Sequence, residues 1–204
     1  MPSHQFKFNK HDECYTKPYA IVPLVKYVKA GSVVWCPFDK EHSKFVSVFR
    51  SHGFTVISSH IETGQDFFQY EPSKYDVIIS NPPYSLREPI LQRLYALQKP
   101  FAMLINDAGL FDSKVRFQLL STNKFEIMVF DKRIDYEREA KLSSSVPFKS
   151  IYLCSGVLPA QFVFEHIAHL TPLALDGAIA PDNQQVFPAD VLVGEGTLPE
   201  PPRQ

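Results

Sequence analysis

No segment of the chain reaches the roughly 18 consecutive apolar residues that a membrane-spanning helix needs, and the opening MPSHQFKFNKHDE lacks the basic-then-apolar run of an export signal. These absences lead to the expectation of a soluble, intracellular protein, cytoplasmic in location and with no membrane partner. Cysteine is scarce. Cys14, Cys36 and Cys154 are odd in number, widely separated, and form neither a C-x-x-C pair nor a Cys/His cluster at zinc spacing. A disulfide framework is therefore excluded, a reducing compartment is expected, and no metal is. Charge of one sign is also missing: 21 Lys+Arg against 22 Asp+Glu give a formal net charge of −1, which argues against a strongly basic nucleic-acid binder. The charge is unevenly spread, because from Leu175 onward five acids face the single base Arg203, a net of −4 that leaves +3 for residues 1–174.

The 204 residues are 45% hydrophobic, enough for the core of a single domain. Apolar positions at helical spacing in PYAIVPLVKYVK predict a helix over 18–29, with Pro18 suited to its first turn. The short run VVW after a glycine reads as a buried strand, HSKFVSVFRSHG as a helix that Gly53 ends, and FTVISSHI and YDVIIS as two more strands. The rhythm continues with a helix around EPILQRLYAL, the strand PFAMLIN, a helix around KVRFQLL, and the strands FEIMVF and FKSIYLC. QFVFEHIAHL is expected to form a last helix. Six strands alternating with helices predict an α/β fold, a doubly wound, mostly parallel open sheet with helices on both faces. Residues 1–171 form the expected domain, and 172–204, rich in Pro, Gly, Asp and Gln, an acidic flexible tail.

The feature with most chemical content is SNPPY, placed at the carboxyl end of the apolar strand DVIIS, where open α/β sheets bind their ligands. Pro82 and Pro83 lock φ and lack N–H groups, so the backbone is stiff and its carbonyls are available as acceptors. Asn81 adds a side-chain carbonyl beside them. An exocyclic amine on an aromatic base is a poor nucleophile, because its lone pair is delocalised into the ring. Were Asn81 and the Pro82 carbonyl each to accept one N–H, the nitrogen would be held near tetrahedral with its lone pair aimed at an electrophile, and Tyr84 would stack on the base. Such a site also needs the base to be flipped or single-stranded. The bland reading is an ordinary strand-end turn, since Asn-Pro and Pro-Pro are common in loops; the place of the motif after an apolar strand in an α/β pattern favours the functional one.

In these segments the chain resembles the N6-adenine DNA methyltransferases, of class I S-adenosylmethionine-dependent methyltransferase fold, over most of residues 12–155. Tyr15-Thr16-x-Pro18 and the helix after it resemble the family's N-terminal cofactor motif, and VVWCPFDKEHS its first strand and loop, with Cys36, Pro37, Phe38 and Asp39 as cofactor residues. Asp66-Phe67-Phe68 resembles the acidic-aromatic step at the cofactor's adenine, and FDKRIDY the segment that helps hold the target base. The loop departs from the family pattern Asp-Pro-Phe-x-Gly-x-Gly: Cys36 replaces the acid, and Lys40, Glu41 and His42 stand where glycines would let the backbone approach the cofactor. In this reading Lys40 pairs with the cofactor's carboxylate and Asp39 accepts from its ammonium; the alternative is surface charge at a helix start. Glu62 is a candidate acceptor for ribose hydroxyls. Asp66 and Phe67 are candidates to clamp the adenine, although two phenylalanines after a loop are often core.

The resemblance implies S-adenosylmethionine as cofactor, DNA as partner, and methyl transfer to the N6 of adenine without a metal. Lys132 and Arg133 would bind phosphates and Tyr136 would stack opposite Tyr84, against the readings of solvated charges and a buried ring. With so short a chain, sequence reading falls to loops around 106–116 and 131–147. Small stand-alone proteins of this kind are similar to ones carried by phages and mobile elements. Two alternatives stay open: transfer to another planar amine, in an RNA base or a glutamine side chain, and a methyltransferase-like module that binds without catalysing. The oligomeric state is not legible.

Overall fold

The computed structural model describes residues 15–137 and 149–167; the expected tail and its boundary at 171 lie outside them. A two-residue strand, β1 (Tyr15–Thr16), leads into helix α1 (Pro18–Val25), with Pro18 at a helical position where its missing N–H costs nothing. The helix stops short of the expected residue 29 because the chain tightens: Tyr27 and Val28 donate to carbonyls three residues back, at 3.0 and 3.1 Å. After β2 (Val33–Cys36), helix α2 (Lys44–Ser51) starts at Ser43, whose hydroxyl accepts from the Val46 N–H, and ends where Gly53 takes φ +83°. Then follow β3 (Thr55–Ser58), β4 (Val77–Ser80), α3 (Arg87–Ala96), β5 (Phe101–Asn106), α4 (Lys114–Thr122), β6 (Glu126–Phe130), the short β7 (Tyr136–Glu137), β8 (Ser150–Ser155) and β9 (Phe162–Glu165).

Seven strands make one sheet in the order β3-β2-β4-β5-β8-β6-β9, and β1 pairs with β7 antiparallel in a separate ribbon. In the large sheet β8 runs antiparallel to both neighbours, while every other pairing is parallel. The fold is thus the doubly wound α/β class, Rossmann-like, with helices on both faces. Strand residues alternate between two cores, as the two-residue period of a strand requires. On one face Val34, Cys36, Ile79, Leu104 and Tyr152 pack with α1 and α2; on the other Trp35, Ile78, Met103 and Leu153 pack with α3 and α4. Trp35 is 0% exposed, a burial worth roughly 3 kcal/mol. Among the described residues no helix is long and apolar enough to cross a membrane.

One expected element is different. Residues 162–165, read as the start of a last helix, form β9, parallel to β6. The aromatic and β-branched run Phe-Val-Phe suits a pleated strand, and its burial alternates with period two, whereas a helix would have buried a stripe.

Candidate active site

Strand order fixes where this sheet can hold a ligand. From β2 the chain moves to β3 on one side, then returns to β4 on the other, so the direction of winding reverses between β2 and β4. The crevice outside the carboxyl ends of those two strands is the topological switch point. The loop 37–43 leaves β2 there, and Asn81-Pro82-Pro83-Tyr84 leaves β4 there.

On the β4 side, the parts of the motif are held from both directions along the chain. The Asn81 amide nitrogen donates to the Thr16 hydroxyl at 3.2 Å, and Thr16 is buried in the ribbon, opposite Tyr136. That contact anchors one end of the Asn81 amide to the ribbon. Pro82 and Pro83 are buried, and Tyr84 opens a turn of 3-10 helix that runs into α3. The half-buried Tyr84 hydroxyl lies 3.1 Å from that of Tyr136, which lies 2.7 Å from the Ser150 hydroxyl on β8. Tyr136 is 3% exposed. The role expected of it, stacking on a target base, needs an open ring face; here the ring is core, and its hydroxyl positions Tyr84.

The charged groups of the β2 side are engaged by protein partners. Asp39, 8% exposed, accepts from the buried Ser80 hydroxyl across the crevice, and its backbone N–H donates to the Ser59 carbonyl at 3.2 Å. Burial pushes its carboxyl up to about 6, against the hydrogen bonds from Ser80 and Ser43 that lower it. Lys40 forms an ion pair of 2.6 Å with Glu62, just beyond β3, and Glu41 holds both Arg50 and the Ser58 hydroxyl. The expected cofactor residues Lys40 and Glu62 are thus brought together, but onto each other. No glycine occupies the loop 37–43.

Other expected residues sit differently. Cys36 is 0% exposed and packs in the α1/α2 core, where burial first and Asp39 second raise its thiol; its carbonyl accepts from the Ser59 N–H, just past β3, at 3.0 Å. Phe67, 2% exposed, packs on Phe38 and Trp35 at ring separations of 4.9 and 5.6 Å, with the Arg93 guanidinium 5.4 Å away. It is core, so the clamp expected of Phe67 is not made by its ring. Asp66 accepts from the Phe68 N–H at 3.0 Å. Pro18 serves the start of α1, and Lys132 and Arg133 are exposed in the turn after β6. The side chain of Tyr15 and residues 138–148 lie outside the described residues.

Four contributors carried no chemical weight in the sequence. Ser80 is the last residue of an apolar strand, and a serine there was the available signal. Tyr19 accepts from the Asp135 N–H at 2.8 Å, tying α1 to the segment before β7. Arg87 donates to the Asn106 side chain and to the Ala108 carbonyl, at 2.8 Å for the latter, while Arg116 holds the Gly109 and Leu110 carbonyls at 2.8 and 3.2 Å. The expected reading loop around 106–116 is therefore pinned to the first turn of α3. Gly109 has φ +65°, and a Cβ there would meet Asp112 at 3.1 Å.

No family model matches the chain, and no curated protein matches it. Among solved structures it is similar to a protein assigned as the modification subunit of a type I restriction enzyme from Vibrio vulnificus YJ016, at 11% identity and a TM-score of 0.48 over 72% of this chain and 45% of that one. It is also similar to a protein assigned as a methyltransferase from Thermoplasma acidophilum, at 13% identity and a TM-score of 0.38, over 75% and 69%. The chain spans less than half the length of the Vibrio subunit.

Proposed function

We propose that the chain is an S-adenosylmethionine-dependent methyltransferase acting on the N6 amino group of adenine in DNA. The observation that carries this reading is the placement of Asn81: its amide is anchored on Thr16 at the carboxyl end of β4, at the switch point, directly before Pro82 and Pro83. Two acceptors, each taking one N–H, pull a ring-conjugated amino nitrogen toward tetrahedral and aim its lone pair. Tyr84, braced through Tyr136 on Ser150, offers a ring whose place is fixed for stacking on a base. A paired base reaches such a site only by flipping.

When bound, S-adenosylmethionine supplies an electrophilic methyl group on a sulfonium. The donor set on the β2 side suits it, since Glu62, Asp39 and Asp66 are acceptors for a cationic ligand rich in hydroxyl and ammonium donors. Glu62 would take the ribose hydroxyls once Lys40 lets go. Calorimetric titration with S-adenosylhomocysteine, beside a transfer assay on adenine-containing DNA and RNA, tests the reading. Micromolar binding by wild type and by Asn81→Ala, with transfer only by the wild type, supports it; transfer to RNA alone would change the acceptor.

A second reading is favoured by two contacts, Lys40–Glu62 and the Asp39–Ser80 bond that bridges the β2 and β4 sides, which engage the expected cofactor groups with protein partners. In it the fold binds nucleic acid or protein without catalysis. A folded chain that binds DNA but not S-adenosylhomocysteine would establish this instead.

A further inference from the structure

β9 is the last strand of the sheet, and its outer edge is prepared for a partner. Ile127 N–H donates to the Gln161 carbonyl and Asp131 N–H to the Glu165 carbonyl. In a parallel ladder the odd-numbered residues of β9 thus spend their backbone groups on β6, so the N–H and C=O groups of Phe162 and Phe164 point away from the sheet. Among the described residues no strand pairs with that edge. The side chains are equally uncovered. Phe162 and Phe164 register with Ile127 and Val129, share the α3/α4 face with them, and are 53% and 74% exposed. Edge strands are commonly guarded by lysine, proline or a bulge, and Phe162–Glu165 has none of these.

We infer that two copies of the chain pair through antiparallel β9 strands about a two-fold axis at Val163, forming a homodimer with one continuous sheet. The occupant follows from self-complementarity. Antiparallel pairing centred on Val163 sets Phe162 opposite Phe164 of the other copy, so that the outward backbone groups of both exchange hydrogen bonds and four phenyl rings cluster on one face. Charge also allows it. Glu165 falls opposite the neutral Gln161 of the other copy, and its carboxylate is already held by Lys26 at 2.8 Å and by the Tyr27 hydroxyl. His166 is likewise held to Asp131 at 3.2 Å. No like charges are brought together, and because the edge is isologous the assembly closes at two.

Sedimentation equilibrium of the full chain tests this, with Phe164→Lys as the disruptive variant and Val163→Cys, in a Cys14→Ser background, as the geometric one. Val163 meets its own copy at a non-hydrogen-bonded site, where Cβ atoms are close enough for a disulfide, while Cys36 and Cys154 are buried. The expected result is a dimer, a cross-link between the two copies of the Val163→Cys variant on mild oxidation, and a dissociation constant raised about 100-fold or more by Phe164→Lys, since symmetry loses the contact twice. A monomer at every soluble concentration would overturn the inference, as would a dimer that neither cross-links through Val163→Cys nor responds to Phe164→Lys. A monomer whose Phe162 and Phe164 amides resist hydrogen exchange would also overturn it, placing another segment of the same chain on the strand.

Discussion

The two walls of the switch-point crevice are finished to different degrees. On the β4 wall the Asn81 amide nitrogen and the Tyr84 hydroxyl are held by neighbours distant in sequence: Asn81 by Thr16, and Tyr84 by Tyr136 and, through it, Ser150. On the β2 wall Lys40 is held by Glu62 and Glu41 by Arg50 and Ser58, all from the loop, α2 or the segment around β3, while Asp39 reaches across to Ser80 on the β4 wall. The first arrangement is preorganised for a guest; the second has to exchange internal partners for one. Under the proposed function, such a site would concentrate its rigidity where the reacting nitrogen sits and its adaptability where the cofactor enters.

The contrast can be broken most severely on the rigid wall. Asn81→Ala is expected to lower methyl transfer by about 10²–10³-fold, the scale of losing one preorganised polar contact at a reacting centre, with S-adenosylhomocysteine affinity unchanged. On the other wall, Asp39→Asn is expected to stabilise the fold at pH 7 by on the order of 2 kcal/mol, because a carboxyl raised from 3.8 to about 6 is costly to ionise where it sits. The raised value means that Asp39 contributes most below its unfolded value, and that this contribution is lost as pH climbs through about 6. Denaturant unfolding should therefore show wild-type stability falling across that window and a flatter profile in the variant. Thr16→Val removes the acceptor that orients Asn81, and transfer should fall about tenfold in kcat with little change in KM, the activity returning in Thr16→Ser. The smallest effect sharpens the comparison most. The Lys40–Glu62 pair has side chains 28% and 58% exposed, so Lys40→Met should tighten S-adenosylhomocysteine binding by no more than about fivefold. Weaker binding would instead make Lys40 a grip on the cofactor's carboxylate.

Hydrophobic period made the sheet legible: β2, β3, β4, β5, β6 and β8 all fall on apolar runs read from the sequence, and the helices between them follow. It failed at β9, where four residues carry too few periods to separate a strand from a helix start. The placement of Asn81 to Tyr84 at a strand's carboxyl end was readable because it is local. Tertiary partnership was not: nothing near Lys40 announces Glu62, and nothing in Asp66-Phe67-Phe68 announces that Phe67 turns inward onto Trp35. Cys36 shows the same limit, since a residue one step before a loop faces the core or the ligand according to the pleat, and here the pleat turns it inward.

The ribbon of β1 and β7 also governs when a growing chain could become competent. Asn81 waits on Thr16, 65 positions earlier, and Tyr84 on Tyr136, 52 positions later, while Thr16 is seated only when Tyr136 arrives to pair with it and Glu137 with Tyr15. Contacts of such separation form late, because a long loop must close before they give anything back. A chain halted on the ribosome after β6, or cut between α4 and β7, would contain the whole motif and most of the sheet yet leave the amide unaimed. Competence would arrive as a last step, with the docking of a two-residue strand at one end of the described chain.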